Sequence, residues 1–293
     1  MLDEKTAKLI LFAAVDPIDT FWQCEVLRSG AINTYQKITR GSAYLKIPDF
    51  SQIRNRVLRA NVEDLKSEIM AANAEFISSE DLDWPASCQD LSAPPIGLVI
   101  KGDRKLLAQL GNSISIVGSR RPTNYGLNVA NKLATDASKQ QIVVISGGAY
   151  GIDTAAHKAA IVAGGRTISV LAGGVSCLYP LENRELFSEI AKAGLLISEV
   201  MPSVKTMPAR FLIRNRLIAA LSVATVVVEA EFVSGSIRTA RDAAEIFRPV
   251  FAIPGQISSK LSDGCHRLIA ERIADIATSL DEILEVIKPL QLR

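Results

Sequence analysis

The sequence predicts an α/β protein: a doubly wound, mostly parallel sheet preceded by a small all-helical N-terminal domain. Three observations predict it. Apolar residues in the first 75 positions recur at helical spacing; from Ser113 onward short β-branched runs alternate with helical stretches; and those runs are apolar at nearly every position, as expected for strands buried on both faces.

In chain order, helical periodicity covers Lys8–Val15, Trp22–Leu27 and Val57–Met70. The stretch from Ala74 to Gly111 is less regular. Its Trp84–Pro85 and Pro94–Pro95 pairs mark a connection, with Gly97–Lys101 as a candidate strand. The expected strands are Ser113–Val117, Ile142–Ile145, Thr167–Leu171, Leu195–Ser198, Thr225–Glu229 and Val250–Ile253. Between them the expected helices are Gly126–Ser138, Asp153–Ala163, Glu182–Ala193, Phe211–Leu221 and Ser236–Phe247. The domains are therefore placed at 1–75 and 76–293, joined within 75–112.

Composition narrows the function classes. With 293 residues, 48% hydrophobic and 22% charged, the chain is long enough for a sizeable core. Net charge is only +2. Residues 1–105 carry 13 Lys+Arg against 15 Asp+Glu, and 106–293 carry 20 against 16. Any polyanion site must therefore be a local cluster. Aromatics at 5% exclude broad stacking surfaces. Cys24, Cys88, Cys177 and Cys265 are scattered, which fits reduced thiols and a cytoplasmic location, not a disulfide frame or a metal site. The start MLDEKTAKLI has no basic leader, and no apolar run is long enough for a membrane span.

In open parallel sheets ligands bind beyond the carboxyl ends of the strands. After the first strand of the sheet domain come Gly118, Ser119, Arg120 and Arg121. The glycine and serine permit close approach of backbone N–H groups to an anion, and the arginines supply bidentate donors. The alternative is a turn with solvated arginines. Ser146, Gly147 and Gly148 lead into a helix that Asp153 is placed to cap, a further anion-binding helix start. The standard dinucleotide glycine pattern is absent, and close packing is the competing reason for these glycines. The Ala172–Gly174 turn and the Tyr179–Pro180 loop are weak signals.

Lys205, Arg210, Arg214 and Arg216 fall in one short segment with Phe211 and Asn215. Cations, a ring and an amide together suit a phosphate-and-base site, against the plainer reading of a basic helix face with Phe211 in the core. Helical spacing puts Arg210 and Arg214 on one face, with Phe211 and Asn215 on the next. Ser234, Gly235 and Ser236 open another helix, where capping competes with phosphate binding. His157 and His266 lack metal-ligand spacing and read as packed or surface histidines.

The motifs IVGSRRPTNYG (Ile116–Gly126), ISGGAYGIDTAAH (Ile145–His157), LYPLEN (Leu178–Asn183), LISEV (Leu196–Val200), FLIRNRLIAALS (Phe211–Ser222), VEAEFVSGSIRTARDA (Val228–Ala243), FAIPG (Phe251–Gly255) and DGCHRLI (Asp263–Ile269) stand in the order found in the DNA-processing protein A (DprA/Smf) family. The chain resembles that family from about Ser79 to Leu284. The resemblance implies an extended Rossmann-like domain that binds single-stranded DNA in natural transformation, protects incoming DNA, dimerises and helps load the RecA recombinase. It implies no metal, no cofactor and no catalysis. It makes Arg120 the phosphate-binding arginine and Phe211 the stacking ring, with Arg214, Asn215 and Arg216 in the same pocket. Ser146, Gly147 and Gly148 carry over as the glycine loop.

Some members have a lysine three residues before that phenylalanine. Here Pro208 stands there, so Lys205 or Arg210 would substitute. The helix–hairpin–helix turn of the family's N-terminal region is replaced by Val15-Asp16-Pro17-Ile18, leaving a SAM-like or helix–hairpin–helix-like domain without its glycines. A C-terminal winged helix is not expected. The competing class is a nucleoside-monophosphate phosphoribohydrolase of the same superfamily. In its glycine-loop position Arg238, Thr239 and Ala240 occupy the stretch where a catalytic carboxylate is expected.

Overall fold

The computed structural model describes residues 2–41, 44 and 46–291. Five helices open the chain: α1 (Glu4–Ala14), α2 (Thr20–Ser29), α3 (Ala31–Arg40), α4 (Phe50–Arg59) and α5 (Val62–Ala71). Local chemistry sets their limits. Asp3, Asp19 and Asn61 each cap a following helix through a side-chain oxygen. Gly30, at φ +79°, separates α2 from α3. The carboxylate of Glu4 accepts from the N–H groups of Ala31 and Ile32, closing the start of α3 from another helix. The continuous pattern expected over Val57–Met70 is in fact broken at Ala60–Asn61, because Asn61 accepts from Glu63 and Asp64 and restarts the helix as α5.

The fully buried Trp22 centres this region, with Phe21, Tyr44 and Phe50 packed on it at ring-centroid distances of 5.0–6.3 Å. Burying an aromatic of this size contributes about 2–3 kcal/mol. The helices share their core with the sheet: Leu11, Phe12 and Val26 belong to the same apolar cluster as Val99, Leu171, Leu196 and Phe187.

The sheet has nine strands among the described residues: β1 (Glu75–Ile77), β2 (Leu98–Gly102), β3 (Ser113–Gly118), β4 (Val143–Ser146), β5 (Thr167–Leu171), β6 (Leu195–Ser198), β7 (Ala224–Val228), β8 (Val250–Ala252) and β9 (Asp275–Ile276). Their order is β1-β2-β6-β5-β4-β3-β7-β8-β9. Pairing is parallel from β6 through β9, while β1 and β2 are antiparallel at one edge. The edge strands β1 and β9 have only three and two residues, which sequence periodicity does not reveal.

The intervening helices are α6 (Asn124–Lys139), α7 (Ile152–Val162), α8 (Arg184–Ala193), α9 (Pro208–Leu221), α10 (Gly235–Glu245), α11 (Lys260–Ala270) and α12 (Leu280–Gln291). Ile114 and Ile116 pack with α6, α7 and α12 on one face. Val117, Val143 and Ile145 pack with α9, α10 and α11 on the other, the two-faced burial that makes the strands uniformly apolar.

From β3 the chain winds outward through β4, β5 and β6, then returns to place β7 on the opposite side of β3. The crevice beyond the ends of β3 and β7 is therefore the topological switch point. Here Ser119 N–H donates to Glu229 O at 2.7 Å. A Cβ on Gly118 would lie 1.9 Å from Val228 O, so the strands approach this closely only with glycine. No described helix is long and apolar enough to cross a membrane.

Candidate nucleic-acid interface

A cavity of about 630 Å³ opens at this switch point. The turn after β3, the start of α9 and the start of α10 form its walls, joined by Ala149 from the connection after β4 and Asp153 from the first turn of α7. Gly118, Ser119, Arg120, Arg121, Phe211, Arg214, Asn215, Ser234, Gly235 and Ser236 all line this one space. Segments more than a hundred residues apart thus converge.

Arg120 and Arg121 are exposed. The turn carrying them is fixed by Ser119, whose Oγ accepts from Arg121 N–H at 3.0 Å and whose carbonyl accepts from Ile152 N–H at 3.1 Å. The Arg120 guanidinium carbon lies 5.6 Å from the centroid of the Phe211 ring, a cation–π arrangement. Tyr179 meets Phe211 edge-on at 5.4 Å. This second ring belongs to the loop that was a weak signal in the sequence; its Tyr-Pro dipeptide was the only local sign of it.

Arg214 is buried beneath them. Its Nη1 donates to Gly147 O at 2.8 Å and to Val170 O, while its Nε has no partner among the described residues. Burial lowers its pKa to about 10, opposed by the Asp153 carboxylate and reinforced by the charge of Arg120. Burial also pushes the Asp153 carboxyl up, opposed by Arg214 and by N–H donors from Ala149 and Gly147. Asp153 is not the cap of α7, as its position before the expected helix suggested. It lies inside the first turn, and Gly151 occupies the cap.

Four other expected parts of the site lie outside this cavity. Ser146, Gly147 and Gly148 do not line the cavity. Ser146 Oγ donates to Ile116 O at 2.7 Å, Gly147 N–H is taken by Asp153, and Gly148 packs against Phe187. The loop braces Arg214 from behind. Arg216 points away from the cavity and pairs with Glu199 at 2.6 Å, where Gln23 of α2 also donates. Arg210 turns to Asp16, which lies between α1 and α2. Lys205 is exposed and outside the cavity lining. Arg210 and Arg214 do stand one turn apart on α9, as their spacing predicts, but only Arg214 lines the cavity, together with Phe211 and Asn215.

Asn215 Nδ2 donates to Gly235 O at 3.0 Å, tying α9 to the start of α10. Ser234 caps α10 through Ile237 N–H and also lies on the cavity wall, so the capping and lining readings coexist. The cavity thus offers three arginines against the carboxylates Asp153 and Glu231.

Asp242, three residues past Thr239, was missed as an acid. Burial holds it at about 6, opposed by Arg238, and it does not line the cavity. His157 is packed, with Nδ1 2.7 Å from Thr167 Oγ1. The four cysteines are free. Among the described residues no group of His, Cys, Asp or Glu is arranged to hold a metal ion.

Comparison with known proteins fits this geometry. Residues 75–288 match the family described as DNA recombination-mediator protein A. The chain is 37% identical over 270 residues to DNA processing protein DprA of Bacillus subtilis, covering 90% of this chain and 88% of that protein. It is 39% identical over 201 residues to DprA of Streptococcus pneumoniae, covering 69% and 70%. The crystal structure of DprA from S. pneumoniae superposes with a TM-score of 0.78 at 30% identity, over 97% of this chain and 98% of that one. A structure of DNA processing protein A from Helicobacter pylori, described for its single-stranded DNA binding mode, gives 0.67 at 30% identity over 74% and 98%.

Proposed function

Because the chain belongs to the DNA recombination-mediator protein A family, we propose that it binds single-stranded DNA in the cavity at the switch point. The observation that carries this reading is the Arg120–Phe211 pair above the buried Arg214. One wall supplies charge for a phosphate, the other a ring for a base. Arg120 and Arg121, with the first-turn N–H groups of α10, take the phosphate. Phe211 and Tyr179 receive the base, and Arg214, held rigid by two backbone carbonyls, sets the potential at the floor. Ser146, Gly147, Gly148 and Arg216 serve as supports, whereas Arg210 and Lys205 lie outside this site.

On this reading the protein acts by binding, not by catalysis. Of the two carboxylates lining the cavity, Asp153 is occupied by two backbone N–H donors, leaving Glu231, and Asp242 is not in the lining. In the cell it is a cytoplasmic homodimer that protects incoming DNA in natural transformation and helps load RecA on the strand. The family resemblance supports those roles.

Fluorescence anisotropy with a labelled oligothymidine tests the site. Arg120→Ala is expected to weaken binding about tenfold, the worth of a charge-assisted contact, and to reduce the dependence on salt. Phe211→Ala is expected to cost about 1–3 kcal/mol. Equal binding by the parent and by the Arg120→Ala/Phe211→Ala double variant would refute the assignment, and release of free base from a nucleoside monophosphate would favour the hydrolase.

A further inference from the structure

We propose that the outer faces of α3 and α4 form a second surface that contacts the phosphate backbone of nucleic acid, separate from the switch-point cavity. This rests on the reading above only in taking nucleic acid as the polyanion.

Residues 31–60 contain Lys37, Arg40, Lys46, Arg54, Arg56 and Arg59 but a single carboxylate, Asp49, although residues 1–105 as a whole carry 13 Lys+Arg against 15 Asp+Glu. The spacing on the two helices is specific. Four residues before Lys37, Arg40, Arg56 and Arg59 stand Asn33, Gln36, Gln52 and Asn55. Those positions adjoin the cations on a helix surface and are where a carboxylate would pair with them.

Elsewhere in this fold surface cations do have carboxylate partners one helical turn away: Lys66 with Glu63 three residues before it, and Lys132, Arg238 and Arg267 with Asp136, Asp242 and Glu271 four residues after. On α3 and α4 the positions four before these cations hold neutral amides, and those four after hold Gly41, Tyr44 and Ala60; only Arg59 has a carboxylate there, Glu63, and that one pairs with Lys66. Arg40, Arg56 and Arg59 are exposed and have no ion-pair partner among the described residues. Lys37 is the exception, drawn to Glu25 at 3.1 Å.

The two helices are held as one unit. Arg54 donates from Nε and Nη2 to Thr39 O, at 3.3 and 3.0 Å, fastening α4 to the end of α3 without a carboxylate to cancel its charge. Cations in a last turn also suit the helix dipole, but the dipole does not require the removal of every neighbouring acid. Amides beside arginines are the donors and acceptors that meet phosphate and sugar oxygens. A lipid surface is disfavoured because the apolar faces of these helices, Ile38, Phe50, Ile53 and Val57, are spent in the core. Among the described residues Leu58 is the only large apolar side chain exposed on the two helices.

The test is the triple variant Arg40→Gln/Arg56→Gln/Arg59→Gln, whose sites are exposed and whose melting curve should match the parent. With an oligothymidine of about thirty nucleotides, longer than one compact site, the slope of log affinity against log salt is expected to fall by about 2, three single-strand phosphate contacts.

With a strand of about six nucleotides, Arg120→Ala should weaken the first binding event about tenfold while the triple variant leaves it intact. Stoichiometry then separates two sources of the backbone. One short strand per chain means that a single long strand continues onto α3–α4; two per chain, falling to one in the triple variant, means a second strand. An unchanged salt slope for the long strand would overturn the proposal. If the triple variant instead lost binding to polyglutamate with DNA unaffected, the face would belong to an acidic protein. A parent that binds neither strand would overturn the cavity reading and this one together. Loss confined to the long strand would leave the cavity reading standing.

Discussion

The Asp16 carboxylate, between the first two helices, grips the Arg210 guanidinium at the start of α9, with Nε 3.2 Å from Oδ2 and Nη2 on the same oxygen. An arginine that the sequence groups with DNA-binding cations is thus committed to the N-terminal helices, although it directly precedes Phe211 in the chain. Gln23 reaches Glu199, and through it Arg216, at 2.9 Å, so the helical region holds α9 at two points.

With Asp16 in place, Arg210→Ala is expected to leave oligothymidine affinity within about twofold while costing about 1–2 kcal/mol of stability, the worth of a partly buried, two-donor ion pair. Asp16→Ala should cost the same stability and raise the salt dependence of binding, because the freed arginine becomes available to a phosphate. Urea melts with anisotropy titrations check both. A large loss of affinity in Arg210→Ala would return that residue to the DNA site.

Arg216→Ala is expected to destabilise the fold by about 3–5 kcal/mol, since it strands the buried Glu199 carboxylate. Arg216→Met with Glu199→Gln should recover most of that loss by removing both charges. In neither variant should oligothymidine affinity at a temperature well below melting change by more than about twofold.

Gly147→Ala probes the brace behind Arg214. The added Cβ would lie 2.5 Å from Arg214 Nη1, and that nitrogen is already held by Gly147 O and Val170 O, so it has nowhere to retreat. A stability loss of about 1–3 kcal/mol is expected, together with weaker DNA binding. The structural cost without the binding defect would show that Arg214 does not shape the site.

His157 makes stability depend on pH. Its Nδ1–H donates to Thr167 Oγ1, which itself donates to Val144 O, leaving Nε2 without a partner in the core. Burial, reinforced by the charge of Arg214, lowers its pKa from 6.5 to about 3. The unfolded chain therefore binds the proton more readily. The stability tied to this neutral histidine is full above 6.5 and is lost as pH falls from there toward 3. By pH 5 the loss is expected to be about 2 kcal/mol. His157→Asn, which keeps a donor near the Nδ1 position, should flatten this part of the curve in urea melts between pH 5 and 7.

What the sequence by itself determined is the local and periodic part. Thr167–Leu171 and Leu195–Ser198 are strands at the residues expected, because burial on both faces leaves an unbroken apolar run. The convergence of Gly118–Arg121, Phe211–Asn215 and Ser234–Ser236 on one cavity follows from their places at strand ends and helix starts, which motif order makes legible. The brief edge strands β1 and β9 were not legible, because they are short and largely exposed and so leave no apolar run, whereas the equally short β8 is buried throughout.

Tertiary structure alone decided which arginines meet solvent. Arg210, Arg214 and Arg216 look alike along the chain, yet one is held by Asp16, one by Gly147 and Val170, and one by Glu199. Asp16 lies 194 residues from Arg210 in sequence. A cation's role is set by the nearest acceptor in space, and no periodicity records a partner that distant. The charge that remains free to meet an anion is fixed only when the helical region docks on α9.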